Sequence, residues 1–180
     1  MDELKELKER LSQERPAQWR DLPDIGLYMD QVVSYMPRQL ISYAGRDALT
    51  PAMVNNYIKD GLLPRADGKK YGRTHLAYLT AICVLKHVMS TRDMDLLIRE
   101  ELQGERPIQD GYAAFCASLD KALRITADEM AARGGETSLA DDAIHFALLS
   151  YAAGVASSRY VALLRQQKDA EAKKTKKERE

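Results

Sequence analysis

The sequence is poor in residues that build disulfide and metal sites. It contains two cysteines, Cys83 and Cys116, and three histidines in 180 residues. Both cysteines fall on apolar helical faces, which predicts buried, reduced thiols rather than a disulfide. A zinc site needs a closer set of cysteine and histidine ligands. We therefore expect neither a metal ion nor a cofactor.

Motifs typical of enzymes are missing as well. The sequence has no glycine-rich phosphate loop, no nucleophile elbow and no pair of histidines at metal-binding spacing. The adjacent acids Asp141-Asp142 and Glu100-Glu101 point in different directions on a helix, so they are poorly placed for acid–base catalysis. The sequence therefore predicts no catalytic residues and a protein that is not an enzyme.

Long apolar runs and a leader sequence are also lacking. No run approaches the roughly 18 apolar residues of a membrane span, and the acidic start Met1–Lys5 is unlike a signal peptide. Hydrophobic residues nevertheless make up 45% of the chain, which is enough for a folded core. These features predict a cytoplasmic protein of one or two small domains without membrane contact.

What the sequence does contain is an uneven distribution of charge. The chain has no net charge, yet residues 49–92 carry seven Lys or Arg against two Asp, and residues 93–155 carry five against twelve acids. A basic region of this kind is the footprint expected where phosphates are neutralised. A solvated charged face is the alternative interpretation.

The basic region begins with a short predicted helix. Thr50 is a suitable N-cap and Pro51 a suitable first residue, while Gly61 can take the left-handed conformation that ends a helix. These signals predict a helix of about ten residues from Pro51 to Asp60. Its predicted inner face consists of Met53, Val54, Tyr57 and Ile58, and its outer face of Ala52, Asn55, Asn56 and Lys59.

A basic turn and a second helix are predicted to follow. Asp67-Gly68 is a strong signal for a two-residue hairpin turn, which would create a small two-stranded wing. We expect Thr74 to cap the next helix, and His75 to cap that helix or support the wing. The basic residues of the predicted wing are Arg65, Lys69, Lys70 and Arg73.

This region resembles the MerR class of bacterial transcription regulators. The run Val54–Leu63 stands where that class has Leu-Arg-Tyr-Tyr-Glu-x-x-Gly-Leu-Leu. The residues that match the end of its wing and its next helix are Tyr71, Leu76, Leu79 and Ile82. The resemblance implies a winged helix-turn-helix fold with double-stranded DNA as its partner. Asn55 replaces the arginine with which that class contacts the DNA backbone.

A closer resemblance is to a bacterial family known as domain of unknown function 1836, which has a MerR-like fold. It covers roughly residues 22–98 of this chain. The residues that carry it are Leu27–Val32, Leu49-Thr50, Met53–Tyr57 and His75–Leu79. The resemblance implies a fold, and it implies a molecular function only by analogy.

Breaks in composition divide the chain into four parts. Residues 1–21 are predicted to form an N-terminal helix or arm, and residues 22–103 the MerR-like winged helix-turn-helix domain. Residues 104–165 are predicted to form a C-terminal helical hairpin that dimerises or binds an effector. Residues 166–180 are a charged tail.

Two helix starts outside the basic region are also predicted. Asp24 is expected to cap the first helix of the domain, with Tyr28 on its inner face. Ser138 is expected to cap the second helix of the hairpin, which is apolar over most of its circumference and therefore needs a partner. The small residues of Ala152–Ser158 would let another helix approach closely. We expect a homodimer through the C-terminal helices.

Together these features predict an all-α fold with a tiny β-hairpin wing, acting as a cytoplasmic, homodimeric, DNA-binding transcriptional regulator. The residues expected to contact DNA are Ala52, Asn55, Asn56, Lys59, Arg65, Lys69, Lys70 and Arg73. One alternative is a MerR-like fold that serves as a protein–protein interaction module without binding DNA. Another is a small-molecule sensor, whose pocket would be lined by Tyr112, Phe115, Phe146, Tyr151 and Tyr160.

Overall fold

Helices make up most of the described part of the chain. A computed structural model describes residues 2–41, 48–102, 106–134 and 137–177. No strand is assigned within these ranges, and the predicted all-α class is confirmed. The α-helices are α1 (Asp2–Gln13), α2 (Met29–Tyr35), α3 (Pro51–Lys59), α4 (Arg73–Leu85), α5 (Thr91–Leu102), α6 (Ile108–Arg133) and α7 (Leu139–Lys177), with 3₁₀ helices at Trp19–Asp21 and Met36–Gln39.

The chain divides into two compact units, Met1–Ala132 and Arg133–Glu180. The boundary expected at residue 104 lies inside the first unit, because the start of α6 belongs to the core of that unit. Tyr112 is completely buried there, and its hydroxyl donates to the carbonyl oxygen of Ala17 at 3.0 Å. Burial raises the pKa of the Tyr112 phenol well above its usual value.

The core of the first unit forms around α4. Leu76, Leu79 and Ile82 have no exposed surface, because α4 is apolar on most of its circumference and is covered on all sides. Thr80 is also completely buried, and its hydroxyl donates to the carbonyl oxygen of Leu76 at 2.8 Å. The core residues that other segments contribute include Leu22, Val32, Met36, Val54, Leu62, Leu63, Met94, Ile98, Leu102 and Tyr112.

The start of α2 differs from the prediction. Asp24 does not cap the helix, because Leu27 is held in an extended conformation by two backbone hydrogen bonds with Tyr71, of 2.9 and 2.8 Å. The helix begins only after Tyr28, whose N–H donates to Oε1 of Gln31 at 2.8 Å. Tyr28 is therefore half exposed instead of facing the core.

The sequence also predicts a short continuation of the first helix of the domain, from Pro37 to about Tyr43. The structure has a 3₁₀ helix, Met36–Gln39, at its start. Tyr43 itself lies outside the described residues.

The N-terminal arm docks onto the first unit through the residues that follow α1. No residue of α1 is buried, whereas Arg15 forms an ion pair with Asp120 of α6. The backbone N–H of Ala17 donates to Oε1 of Gln39 at 2.9 Å, and the Trp19 ring meets the Tyr112 ring edge to face at 6.3 Å. Hydrogen bonding from Arg15 lowers the pKa of the Asp120 carboxyl.

The second unit consists mainly of α7. Ser138 caps this helix as predicted, since its Oγ accepts from the backbone N–H of Asp141 at 3.1 Å. Asp142 accepts from Thr137 at 2.6 Å and pairs with Arg133 at 2.7 Å, which lowers the pKa of its carboxyl. These bonds fix the entry of the chain into α7.

One helix in the described residues has the length and composition of a membrane span, which the sequence analysis did not anticipate. It is Leu139–Thr175, with a mean hydropathy of 1.3 over its most apolar window, and 6% of that window is buried. Length and composition are weak evidence by themselves, because core helices of other proteins meet the same requirement.

Two helical glycines provide a test of the packing. A methyl group on Gly111 of α6 would lie 2.0 Å from the carbonyl oxygen of Glu101, so Gly111→Ala should destabilise the protein by about 1–3 kcal/mol. At Gly154 of α7 the same methyl group meets nothing within 4 Å. Gly154→Ala should therefore be neutral, or stabilising by up to about 1 kcal/mol. Urea denaturation of both variants measures the difference, and equal midpoints would contradict the close approach at Gly111.

Candidate nucleic-acid interface

The helix predicted at the start of the basic region forms as α3, and the local signals at its two ends are confirmed. Oγ1 of Thr50 accepts a hydrogen bond from the backbone N–H of Met53 at 3.2 Å, and Pro51 occupies the first helical position. Gly61 takes a positive φ of 76° just after the helix, which reverses the chain toward the core. The backbone N–H of Leu62 then donates to the carbonyl oxygen of Tyr57 at 2.9 Å.

The two faces of α3 differ in burial, as the sequence predicts. Val54 is completely buried, and Met53, Tyr57 and Ile58 pack partly buried against the core. Burial raises the pKa of the Tyr57 phenol, so this tyrosine supports the helix from the inner side. The outer face carries the four exposed residues Ala52, Asn55, Asn56 and Lys59.

A tight turn follows α3, but the predicted strands do not flank it in the described residues. Asp67 and Lys70 exchange two backbone hydrogen bonds of 3.0 Å each, and they form a single isolated bridge. The central residues of the turn are thus Gly68, at φ 61°, and Lys69. The turn lies one residue later than the predicted Asp67-Gly68 turn. Arg65, Lys69 and Lys70 are exposed on it.

His75 holds this turn against the start of α4. The backbone N–H of Gly72 donates to its Nδ1 at 3.0 Å, so Nε2 carries the proton and donates to the carbonyl oxygen of Arg65, also at 3.0 Å. The helix therefore begins after Gly72, and the prediction that Thr74 caps it is wrong. The expected role of His75 as a cap and support is confirmed.

A phosphate contact requires an exposed cation, and the side chain of Arg73 is instead engaged with other parts of the protein. Its Nε donates to the carbonyl oxygen of Leu22 at 3.2 Å, and its guanidinium lies 5.9 Å from the centre of the Trp19 ring. The side chain is only partly exposed, because the first turn of α4 directs it toward the N-terminal arm. Arg73 fastens that arm to α4.

Tyr28 is a surface residue that the sequence analysis placed in the core. It is 50% exposed, and the Lys70 ammonium lies 5.6 Å from the centre of its ring. Gly26 makes room for this contact, since a methyl group there would lie 2.8 Å from Cβ of Lys70. A glycine can mark a site where another segment of the chain approaches closely. Gly26 was therefore a signal in the sequence for the contact with the Lys70 segment.

The exposed cations near α3 are Lys59, Arg65, Lys69 and Lys70. Within the described part of the chain, none of the four has a carboxylate in ion-pair contact. Two exposed acids, Asp60 and Asp67, lie on the same segment. We define these four cations, together with Tyr28 and the outer face of α3, as the candidate surface.

The candidate surface belongs to an all-α protein whose first unit is built from helices around α4. The chain is a member of the family described as Domain of unknown function (DUF1836), whose profile matches residues 17–115. The match confirms the resemblance to this family that the sequence shows, and it includes all of the candidate surface. No curated protein and no solved structure matches the chain significantly.

The assignment of the cap of α4 can be tested with neighbouring variants. His75→Ala removes both hydrogen bonds of a buried ring and should cost about 1–3 kcal/mol in the free energy of unfolding. Thr74→Ala should change this free energy by no more than about 0.5 kcal/mol, because Gly72 precedes the helix. Thermal and urea denaturation measure both values. A loss of about 1 kcal/mol in Thr74→Ala would restore threonine as the N-cap.

Proposed function

We propose that this protein is a cytoplasmic DNA-binding transcriptional regulator of the MerR-like winged helix-turn-helix type. The observation that carries the proposal is the exposed outer face of α3, on a helix whose opposite face is anchored in the core. With its side chains an α-helix is about 10–12 Å across, which fits a major groove about 12 Å wide. Asn55 and Asn56 carry amides that can pair with adenine.

The segments around α3 support the same proposal. α2 packs against α3, as the two helices of a helix-turn-helix do. The Asp67–Lys70 turn follows α3 and corresponds to the proposed wing, held in place by His75. Lys59, Arg65, Lys69 and Lys70 would neutralise phosphates, while Arg73 stabilises the fold behind them.

A small-molecule sensor is a second candidate, and one observation favours it. The first unit contains a cleft of about 870 Å³ between the Met36–Gln39 segment, the end of α4 and Leu119 and Leu123 of α6. This volume is within the range of ligand sites. The cleft is not the aromatic pocket predicted from the sequence, since Tyr112 is in the core and Tyr151 and Tyr160 are exposed.

A salt series tests the proposed DNA contact. Each neutralised phosphate lowers the slope of log affinity against log salt by roughly 0.9, so Lys69→Ala/Lys70→Ala should flatten the slope by about two per copy. Binding to all sequences should weaken together. The matched control is Lys5→Ala/Lys121→Ala, which removes the same charge from exposed positions of α1 and α6 that are not part of the candidate surface and should leave the slope unchanged.

The asparagines of α3 should behave differently. Asn55→Ala and Asn56→Ala should leave the salt slope unchanged and cost about 1–3 kcal/mol only on the preferred sequence. Genomic fragments recovered with the native protein supply that sequence. If the wild type binds no fragment in a salt-dependent way at low ionic strength, the regulator proposal fails. A protein–protein interaction module, which zero net charge and Asn55 favour, would then lead.

A further inference from the structure

The cleft at the end of α4 has a largely apolar wall. Its volume is about 870 Å³, and it lies between the N-terminal arm, the Met36–Gln39 segment, the end of α4 and α6. All of these segments belong to the first unit. Ligand sites of this size are typically apolar, with a few polar groups that orient the ligand. The apolar side chains of the wall include Met36, Leu40, Leu49, Val84, Leu119 and Leu123.

The charged side chains of the cleft carry an excess of positive charge. Four cations and one acid line it: Arg10, Arg15, Arg38, Lys86 and Glu14. Two of the cations are engaged, since Arg10 pairs with Glu14 at 2.8 Å and Arg15 pairs with Asp120 of α6. Within the described residues, neither Arg38 nor Lys86 is in ion-pair contact with a carboxylate. Their two charges therefore remain for a ligand.

Lys86 is the better placed of these two cations. It is half-buried at the end of α4, whereas Arg38 is exposed to solvent. A charge in partly buried, apolar surroundings attracts an opposite charge more strongly than a charge in water does. The C-terminal end of α4 contributes a partial charge of about −0.5, which is smaller than the charge of Lys86. The cleft thus attracts an anion.

We propose that the cleft binds a small amphiphilic carboxylate, whose unbranched apolar chain lies against the wall and whose head group pairs with Lys86. A neutral apolar ligand would cover the ammonium group without a counter-ion, which is costly. A carboxylate carries the single charge that one half-buried cation matches, whereas a phosphate monoester carries about −1.5 to −2. The inference rests on the second candidate function, the small-molecule sensor, and is independent of DNA binding.

The ligand would lie near the start of α3 without covering the candidate surface. Leu49 of the wall is buried and directly precedes Thr50, the N-cap of α3. No residue of the candidate surface lines the cleft. A bound chain would therefore contact the segment that positions α3, and its binding can be measured in the absence of DNA.

Isothermal titration calorimetry of the full chain without DNA is the first measurement. Decanoate, kept below its micelle concentration, should bind saturably at one site per chain. Each methylene added between hexanoate and decanoate should raise the affinity about fourfold, since each adds one buried CH₂ group. Decanol should bind about tenfold more weakly than decanoate, and decylammonium should not bind. The absence of saturable decanoate binding, or equal affinity for decanoate and decylammonium, would overturn the proposal.

The head-group contact is tested by Lys86→Met, which keeps a long apolar side chain and removes the charge. It should weaken decanoate binding about tenfold and should not weaken decanol binding. The matched control is Lys121→Met, which removes an exposed charge of α6 that does not line the cleft and should change neither affinity. A decanoate affinity that is the same in Lys86→Met and the wild type would contradict the proposal.

The position of the apolar chain is tested by Leu123→Trp, which fills part of the cleft and should abolish binding of both decanoate and decanol. Circular dichroism checks that this variant is folded. If it is not, Val88→Trp takes its place, because Val88 lines the cleft and is 66% exposed. Unchanged decanoate binding in the folded variant would place the ligand outside the cleft and overturn the proposal.

Decyl phosphate distinguishes the two anionic head groups. It should bind no more tightly than decanoate, and an affinity about tenfold higher would assign the cleft to phosphate monoesters instead of carboxylates. The ligand titrations contain no DNA and the salt series contains no ligand. Failure of decanoate to bind therefore leaves the regulator proposal standing, and failure of DNA binding leaves the ligand site standing.

Discussion

The burial of α4, in which nine of 13 residues are buried, is the constraint on which the first unit depends. A helix that is apolar on most sides must be covered on most sides, so the arm, α2, α3, α5 and α6 each contribute one apolar face. The opposite face of each surrounding helix is then left to solvent. The exposed amide face of α3 is thus a consequence of how α4 is covered. Tyr71 and His75 fix the chain just before and within the first turn of α4, and His75 also holds the segment that precedes the Asp67–Lys70 turn through the carbonyl oxygen of Arg65.

Whether a feature could be predicted from the sequence depended on how far apart along the chain the interacting residues lie. The bounds and faces of α3 were predictable because Thr50, Pro51 and Gly61 act within a few residues of the backbone they cap. The start of α2 was not, because it depends on the pairing of Leu27 with Tyr71, which are far apart in the sequence. The inward position of Arg73 has the same origin, since the Leu22 carbonyl and the Trp19 ring come from the distant arm.

The hydrophobic pattern of a helix predicts that its apolar face must be buried, but it does not identify the segment that buries it. The helices α4 and α7 are both apolar over most of their circumference. Nine of the 13 residues of α4 are buried, whereas only 6% of the most apolar window of α7 is buried. The difference lies in the neighbours: the first unit supplies several apolar faces to α4.

The charge of the candidate surface limits how tightly one copy of the chain could hold DNA. The surface offers four exposed cations, so the salt slope of one copy would be about −4 at most. The net charge of the whole chain is zero, which provides no general attraction to DNA. In the proposed function, sequence preference would therefore depend on the amides of Asn55 and Asn56, since phosphate contacts carry no sequence information.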